Sequence, residues 1–182
     1  MKTIAVIDGG TRPNGNTAIL TDQVIEGLSV AKILLRDYTV FPIIDMRHDS
    51  GGFKKREDDY HTIIDQILPH KILIFSTPIY WYSMSGLMKN FVDRWSHSLR
   101  DSDYPDFKAQ MAKKTAYVIA VGGDNPHVKG LPMIQQFQHI FDFMGIEFGG
   151  YIIGVGNKPK DILEDKKALF AAAQLKNKLI YS

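Results

Sequence analysis

The sequence predicts an α/β protein: one doubly wound sheet of five parallel strands with helices on both faces. Two observations carry that expectation. Five short apolar runs alternate with stretches of helical periodicity. Three of those runs pass directly into loops rich in glycine or aromatic residues, and open α/β sheets bind ligands at the carboxyl ends of their strands.

The first run, Thr3 to Ile7, precedes Gly9-Gly10-Thr11-Arg12-Pro13-Asn14-Gly15-Asn16-Thr17, after which Leu20, Val24 and Leu28 recur at helical spacing. Strand, glycine loop and helix in that order set backbone N–H groups and a helix N-terminus against an anion. The spacing echoes a P-loop, but Asn16 stands where a nucleoside triphosphate needs lysine, and no G-x-G-x-x-G is present. The loop therefore argues for a terminal monophosphate, held by its amides with Thr11, Arg12, Asn14, Gly15, Asn16 and Thr17. A plain βα turn capped by Asn and Thr is the structural alternative.

Ala31 to Leu35 is the second strand. Residues 39 to 60 read as a long loop, a length that is often functional. Its charge run, Lys54-Lys55-Arg56-Glu57-Asp58-Asp59, reads as solvated. His61 to Leu68 forms a short helix with Ile63, Ile64, Ile67 and Leu68 inward, and Ile72 to Phe75 is the third strand.

The stretch after the third strand organises the rest. A turn at Ser76-Thr77-Pro78 leads into Ile79-Tyr80-Trp81-Tyr82-Ser83, then a helix carrying Leu87, Phe91 and Trp95 at i, i+4, i+8. Ser85 or Ser83 caps that helix and Gly86 permits close approach. Three consecutive aromatics suit a platform for a flat ring system or a subunit contact, since aromatics are enriched in interfaces. Phe91 and Trp95 read as core, and Asp93-Arg94 as an ion pair.

Ser96 to Lys114 is polar and reads as an outer or partner-facing stretch. Thr115 to Val121 is the fourth strand, followed by Gly122-Gly123-Asp124-Asn125-Pro126. The next helix places Met133, Phe137, Ile140, Phe141 and Met144 on one face, with Pro132 near its start and Gly145 past its end. Tyr151 to Val155 is the fifth strand. The last helix opens on Asp161 and Glu164 in a capping-box pattern, with Leu169, Phe170, Ala173 and Ile180 inward. In the flavodoxin-like order 2-1-3-4-5, strands one and three meet at the switch point, so the phosphate-type loop neighbours the aromatic loop.

At 182 residues, 45% hydrophobic and 23% charged, the chain reads as one domain spanning 1–182. Net charge is +2, too small to argue for a nucleic-acid partner. The absence of cysteine removes disulfides, thiolate metal sites and a cysteine nucleophile. The run Met1-Lys2-Thr3-Ile4-Ala5-Val6-Ile7-Asp8 is no signal peptide, and no run is long enough to cross a bilayer, so a cytoplasmic protein is expected. The six histidines show no zinc-type spacing and most read as surface or capping residues. No metal site is expected.

Taken together, the three loops resemble those of the NAD(P)H-dependent FMN reductase family, and the similarity covers nearly the whole chain. Gly9 to Thr17 is similar to the family's FMN-phosphate loop. Thr77-Pro78-Ile79-Tyr80-Trp81-Tyr82-Ser83-Met84-Ser85-Gly86, with Lys89 and Asp93-Arg94 downstream, is similar to its isoalloxazine loop and following helix. Gly122, Gly123 and Asp124 fall where a third flavin-contacting loop is expected. Iron–sulfur flavoproteins of the wider family carry a cysteine cluster in the segment here running Pro42 to Gly52, which holds no thiol, so the resemblance is to the flavin-only branch.

That resemblance implies FMN as cofactor, NADPH or NADH as electron donor, and a homodimer or homotetramer. It implies a ping-pong cycle passing electrons to a small acceptor: a quinone, a nitro or azo compound, or free flavin. Backbone amides of residues 79 to 83 are candidates to stabilise the reduced ring. No side chain is assigned as acid or base. His97 and His127 are the histidines expected nearest the site, and Met84 and the 39–60 segment are expected to shape the substrate pocket. A flavodoxin-type electron carrier is the principal rival, though such carriers are strongly acidic and this chain has a pI near 8.7. A receiver-type module would need an Asp where Ser76-Thr77 stand. A flavin-free scaffold is the third alternative.

Overall fold

The computed structural model describes residues 3–181; Met1, Lys2 and Ser182, and with them the start of the N-terminal run, lie outside the described residues. Five strands, β1 (Ile4–Asp8), β2 (Val30–Leu34), β3 (Ile72–Pro78), β4 (Thr115–Gly122) and β5 (Glu147–Val155), form one sheet in the order β2-β1-β3-β4-β5. Every pairing is parallel. Eight helices connect them among the described residues: α1 (Asn16–Ile25), α2 (Tyr60–Ile67), α3 (Gly86–Asp93), α4 (Trp95–Ser98), α5 (Phe107–Met111), α6 (Pro126–Lys129), α7 (Leu131–Met144) and α8 (Lys166–Ile180). The architecture is the expected flavodoxin-like one.

The strands are apolar throughout because both sheet faces are covered. Alternate side chains split between two cores. Ala5, Ile7, Leu73 and Phe75 pack with α2, α3 and α7 through Ile63, Phe91, Phe137 and Phe141. Ile4, Val6, Ile72 and Ile74 pack on the other face with Leu20 and Val24 of α1 and Ala172, Leu175 and Leu179 of α8. Gly145 adopts φ 73° just past α7, where a left-handed residue ends the helix.

Several boundaries differ from expectation. Ser76-Thr77-Pro78 is strand, not turn: Ser76 and Thr77 pair with Ile119 and Ala120 of β4. Their buried hydroxyls are matched, Ser76 with Thr21 at 2.8 Å and Thr77 accepting the Ser85 N–H at 3.0 Å. β5 begins at Glu147, its start hidden in the sequence by Gly149-Gly150 and a register irregularity beside Ala116 and Tyr117. Ser85 caps α3, accepting the Met88 N–H, whereas Gly86 faces open space and serves no close approach.

The last helix is corrected most. Asp161–Glu164 is a separate 3-10 turn, and α8 starts at Lys166 with Asp165 as its cap. The inward face is Ala168, Ala172, Leu175 and Leu179, so the helix is rotated from the expected one and Phe170 and Ala173 are exposed. Asp165 Oδ1 accepts the Ala168 N–H at 3.0 Å and Oδ2 the Val155 N–H at 2.8 Å. Asp165→Ala is therefore expected to cost about 1–2 kcal/mol, the upper end of a lost cap, read as a lower urea midpoint at unchanged slope.

Asp93 and Arg94 do not pair. Asp93 takes Lys89 at 2.7 Å one helical turn back. Arg94 is buried and reaches Asp58 at 2.5 Å and the Phe41 carbonyl at 3.1 Å. Asp58 therefore leaves the solvated charge run; its carboxylate is fully buried and also accepts the Phe41 N–H. The segment 96–114 is likewise not merely peripheral. His97, Ser98, Phe107, Met111 and Lys114 are buried, and Lys114 donates to the Leu68 and His70 carbonyls beyond α2.

Candidate functional site

The loops after β1, β3, β4 and β5 meet along the carboxyl edge of the sheet. They enclose two adjoining cavities. The first, about 360 Å³, is walled by residues 10–18, Pro78, Ile79, Tyr80, Gly122, Gly123 and the Gly156–Pro159 turn. The second, about 320 Å³, is walled by Ile79, Trp81, Tyr82, Gly122, Gly123, Asp124, Pro126, Lys129 and Gly130. Asn157 lines both cavities.

The first cavity is built on the N-terminus of α1. Gly15 occupies its cap position and supplies no side chain, in contrast to Ser85 on α3 and Asp165 on α8. The first-turn N–H groups of α1 are thus left to whatever enters the cavity. Asn14 holds φ 57°, a conformation Asn tolerates, and turns the loop toward the helix. Asn16 spends its side chain elsewhere, donating to the Lys158 carbonyl at 2.8 Å and accepting from Ile162 N at 3.5 Å, so it offers the cavity its backbone. Beneath the loop, buried Asp8 accepts the Gly10 N–H at 2.7 Å and lies 3.5 Å from Arg36. Burial pushes the Asp8 carboxyl above the usual range, against the lowering by Gly10 and Arg36.

The second cavity is defined by the aromatic loop. Tyr80 and Ser83 exchange two backbone hydrogen bonds of 3.0 Å, and the residues between them, Trp81 and Tyr82, have φ 48° and 64°. This tight turn normally takes Asn-Gly; two aromatics there are strained by about 1–2 kcal/mol each. Contacts on every side hold it. The Tyr80 hydroxyl meets Thr11 at 3.1 Å, Tyr82 donates to Asp124 at 2.9 Å, and Ser83 donates to Gln136 at 3.2 Å. Lys129 donates to Asp124 at 2.6 Å; together with Tyr82 it holds that carboxyl below the usual range. Trp81 lines the second cavity while remaining 93% exposed.

A Cβ at Gly122 would lie 3.2 Å from both Ile79 and Pro126, so glycine keeps the floor between the loops open. Gly122 and Gly123 present backbone between the two cavities, Tyr80, Trp81 and Tyr82 wall them on one side, and one end is a helix terminus without a side-chain cap. That donor set fits a planar ring joined to a phosphate.

Of the residues singled out in the sequence, Thr11, Arg12, Asn14, Gly15, Asn16, Thr17, Pro78 and Tyr80 line the first cavity and Trp81, Tyr82 and Asp124 the second. Ile79, Gly122 and Gly123 line both. Ser83 lines neither and acts through its backbone pairing with Tyr80. Three expectations fail. His97 is buried against Phe53 and Tyr60; His127 does stand beside Pro126 of the second cavity's wall, without lining either cavity itself. Met84 is buried in the core. The 39–60 segment walls a separate cavity of about 130 Å³ through Ile43, Ile44, Met46 and Phe53, against Arg94 and His97.

Sequence reasoning missed Asn157, Pro159, Lys129 and the Asp8–Arg36 pair. Gly156-Asn157-Lys158-Pro159 was a readable signal, a turn cluster following the fifth strand as the other loops follow theirs. No helix among the described residues is long and apolar enough to cross a membrane.

Comparison with known proteins places the chain among flavin reductases. The family described as NADPH-dependent FMN reductase matches residues 2–158. A Bacillus subtilis protein, provisionally named an NAD(P)H-dependent FMN-containing oxidoreductase, is 58% identical over 94% of this chain and 95% of its own length. The solved Trp repressor binding protein of Bacillus subtilis is 52% identical with a TM-score of 0.81, covering 95% of this chain and 96% of that one. An FMN-dependent NADH-azoreductase of Bacillus anthracis, solved with FMN, shares the fold at 14% identity and a TM-score of 0.69, over 98% and 99% of the two chains.

Proposed function

The chain belongs to the NADPH-dependent FMN reductase family and is an NAD(P)H-dependent FMN oxidoreductase; on that footing we propose that the two-cavity cleft is its flavin site and that it works by a ping-pong cycle. The acceptor is a small planar oxidant: a quinone, a nitro or azo compound, or free flavin. The single observation that carries the reading is the uncapped α1 terminus opening into a cavity continuous with an aromatic-walled one.

FMN supplies two-electron redox chemistry when bound. The protein's part is placement and electrostatics. Thr11, Arg12, Asn14, Gly15, Asn16 and Thr17 hold the phosphate through loop amides, hydroxyls and the guanidinium. Pro78, Ile79, Tyr80, Trp81 and Tyr82 would place backbone and ring edges along the flat ring, with Ser83 holding the turn through its pairing with Tyr80. Gly122, Gly123 and Asp124 form the opposite wall. The N–H groups of Ile79, Tyr80 and Ser83 are committed to the carbonyls of Val121, Ser83 and Tyr80, so of residues 79–83 it is the Trp81 and Tyr82 amides that would stabilise negative charge on the ring. Trp81, exposed on the lining of the second cavity, supplies the face on which a second planar molecule stacks. No side chain acts as acid or base in this scheme.

We propose further that the chain is a single domain and acts in the cytoplasm as a homodimer or homotetramer. An oligomer accounts for the exposed Val128, Leu131 and Phe143, which run along α6 and α7 beside an apolar groove of about 620 Å³ against α3 and α4. Light scattering on the purified protein tests the assembly: a single species of monomer mass rejects it.

The function is tested by loading FMN, desalting, and recording the visible spectrum without oxygen before and after NADPH, then NADH. Retained flavin that bleaches is the expected result, and the faster nucleotide names the donor. Retained flavin that stays oxidised with both donors overturns the reading in favour of an electron carrier. Trp81→Ala is expected to leave retention nearly intact while raising the KM for the acceptor roughly tenfold, the effect of one lost stacking face. An unchanged KM removes Trp81 from the acceptor site.

A further inference from the structure

Away from the cleft, three metal-type ligands converge from elements far apart in sequence. His61, near the start of α2, brings Nε2 to 2.9 Å from Asp101 Oδ2. His97, on α4, brings its Nε2 to 3.5 Å from the same oxygen. His97 lies on α4, Asp101 follows four residues later in the turn beyond that helix's end, and His61 comes from another helix. The three ligand atoms all lie within 4.8 Å of one another. We propose that His61, His97 and Asp101 form a binding site for a divalent transition metal of the zinc type, independent of the flavin cleft.

The chemistry of the set supports this assignment. Two imidazole nitrogens and one carboxylate oxygen suit zinc and its neighbours, and three protein ligands leave a position for water. The ligands are held in place before any ion arrives. His97 is stacked on Phe53 at 5.4 Å and Tyr60 at 6.2 Å, and His61 on Tyr104 at 5.6 Å. Asp101 Oδ1 accepts the Asp103 N–H at 2.9 Å, which fixes the carboxylate plane. His61 and Asp101 retain side-chain exposures of 13% and 11%, enough to admit a hydrated ion from solvent.

One contact opposes binding and sets its strength. Arg94 Nη2 lies 3.4 Å from His97 Nδ1, so without metal the guanidinium donates there and the ring proton sits on Nε2. Metal at Nε2 moves that proton to Nδ1, and Arg94 must release the contact. It is the longest of the Arg94 side-chain hydrogen bonds, and those to Asp58 and Phe41 remain. The neighbouring hydroxyls are already committed, Tyr60 to Ser98 and Tyr104 to Asp65. The bound ion would fasten α2 to α4.

The test is a calorimetric Zn²⁺ titration at neutral pH with thermal unfolding beside it, on the unchanged protein and on His61→Ala, Asp101→Asn and His139→Ala. One ion is expected per chain. The melting temperature should rise by roughly 5–10 °C at zinc a hundredfold over its Kd. Both signals should vanish in His61→Ala and Asp101→Asn and persist in His139→Ala, whose histidine is exposed on α7. Circular dichroism checks that each variant folds. Asp101→Asn keeps the side-chain shape, so it decides if His61→Ala does not fold. The absence of any heat or melting shift at about 100 µM zinc overturns the proposal. So does binding that survives Asp101→Asn.

Discussion

Arg94→Leu is expected to destabilise the protein by roughly 3–5 kcal/mol, the cost of breaking a buried ion pair from one side. The substitution leaves the Asp58 carboxylate, whose side chain has no exposed surface, facing an apolar neighbour. It also frees the Phe41 carbonyl and takes the guanidinium off the Tyr60 ring, over which it lies at 4.5 Å. In the unchanged protein burial alone would raise the Asp58 carboxyl. The hydrogen bond from Arg94, the Phe41 and Tyr60 amides and the Arg94 charge outweigh it and hold the group below its ordinary range.

The sign of the pH dependence follows. A carboxyl with a depressed folded pKa contributes stability above its unfolded pKa, and that contribution is lost as pH falls through the folded value. Removing Arg94 removes the chief cause of the depression, so protonating Asp58 then relieves the buried charge. The gap between Arg94→Leu and the unchanged chain should be widest near neutral pH and narrow as pH falls into the carboxylate range, where the unpaired Asp58 of the variant takes up a proton. Asp58→Leu in the Arg94→Leu background should recover much of the loss, because no charge is then left buried. Urea midpoints at pH 7 and pH 4 measure all of this. A loss below about 1 kcal/mol would mean that the pair behaves as a surface one.

That pair also shows where the sequence stops being readable. The five strands, their order and the three loops gathered at the sheet's carboxyl edge follow from local signals: apolar runs, glycine clusters and the Ser85 cap. Arg94 sits beside Asp93 in the chain, and local reasoning joins them. The actual partner, Asp58, lies in a charge run that is otherwise exposed, and only the tertiary path of residues 39–59 brings it to Arg94. His61, His97 and Asp101 are concealed in the same way, since no metal-type spacing links them. The Trp81-Tyr82 turn is hidden for another reason. Its backbone violates the residue preferences of its turn type and survives only because Thr11, Asp124 and Gln136 hold it from neighbouring loops. The register of α8 was misread because alanines fill its buried face while Phe170 points out. Hydrophobic periodicity gives the larger side chain the wrong weight there. Asn157 was overlooked although its loop occupies the same sheet edge as the others, an omission that topology alone would have corrected.

Arg12→Glu is expected to weaken FMN binding by roughly fiftyfold at low salt while leaving riboflavin, the same ring without the phosphate, nearly unaffected. Arg12 is exposed and lines the first cavity, with no hydrogen-bonded partner among the described residues, so the fold does not depend on it. A phosphate monoester carries close to two negative charges at pH 7. Each unit pair is worth about 0.6 kcal/mol at 7 Å in water-like surroundings. Reversing one charge is a change of two units against nearly two, about 2.4 kcal/mol in all, which is the fiftyfold. Because the residue is exposed, added salt should shrink the effect, with most of it gone near 1 M where screening extends only about 3 Å. Fluorescence titrations of both flavins at two salt concentrations distinguish the cases. A penalty shared equally by FMN and riboflavin would mean that the phosphate lies elsewhere and that the α1 terminus is not its cradle. A penalty confined to FMN and erased by salt fixes the orientation of the cofactor, phosphate on α1 and ring toward Trp81, from which the direction of substrate approach follows.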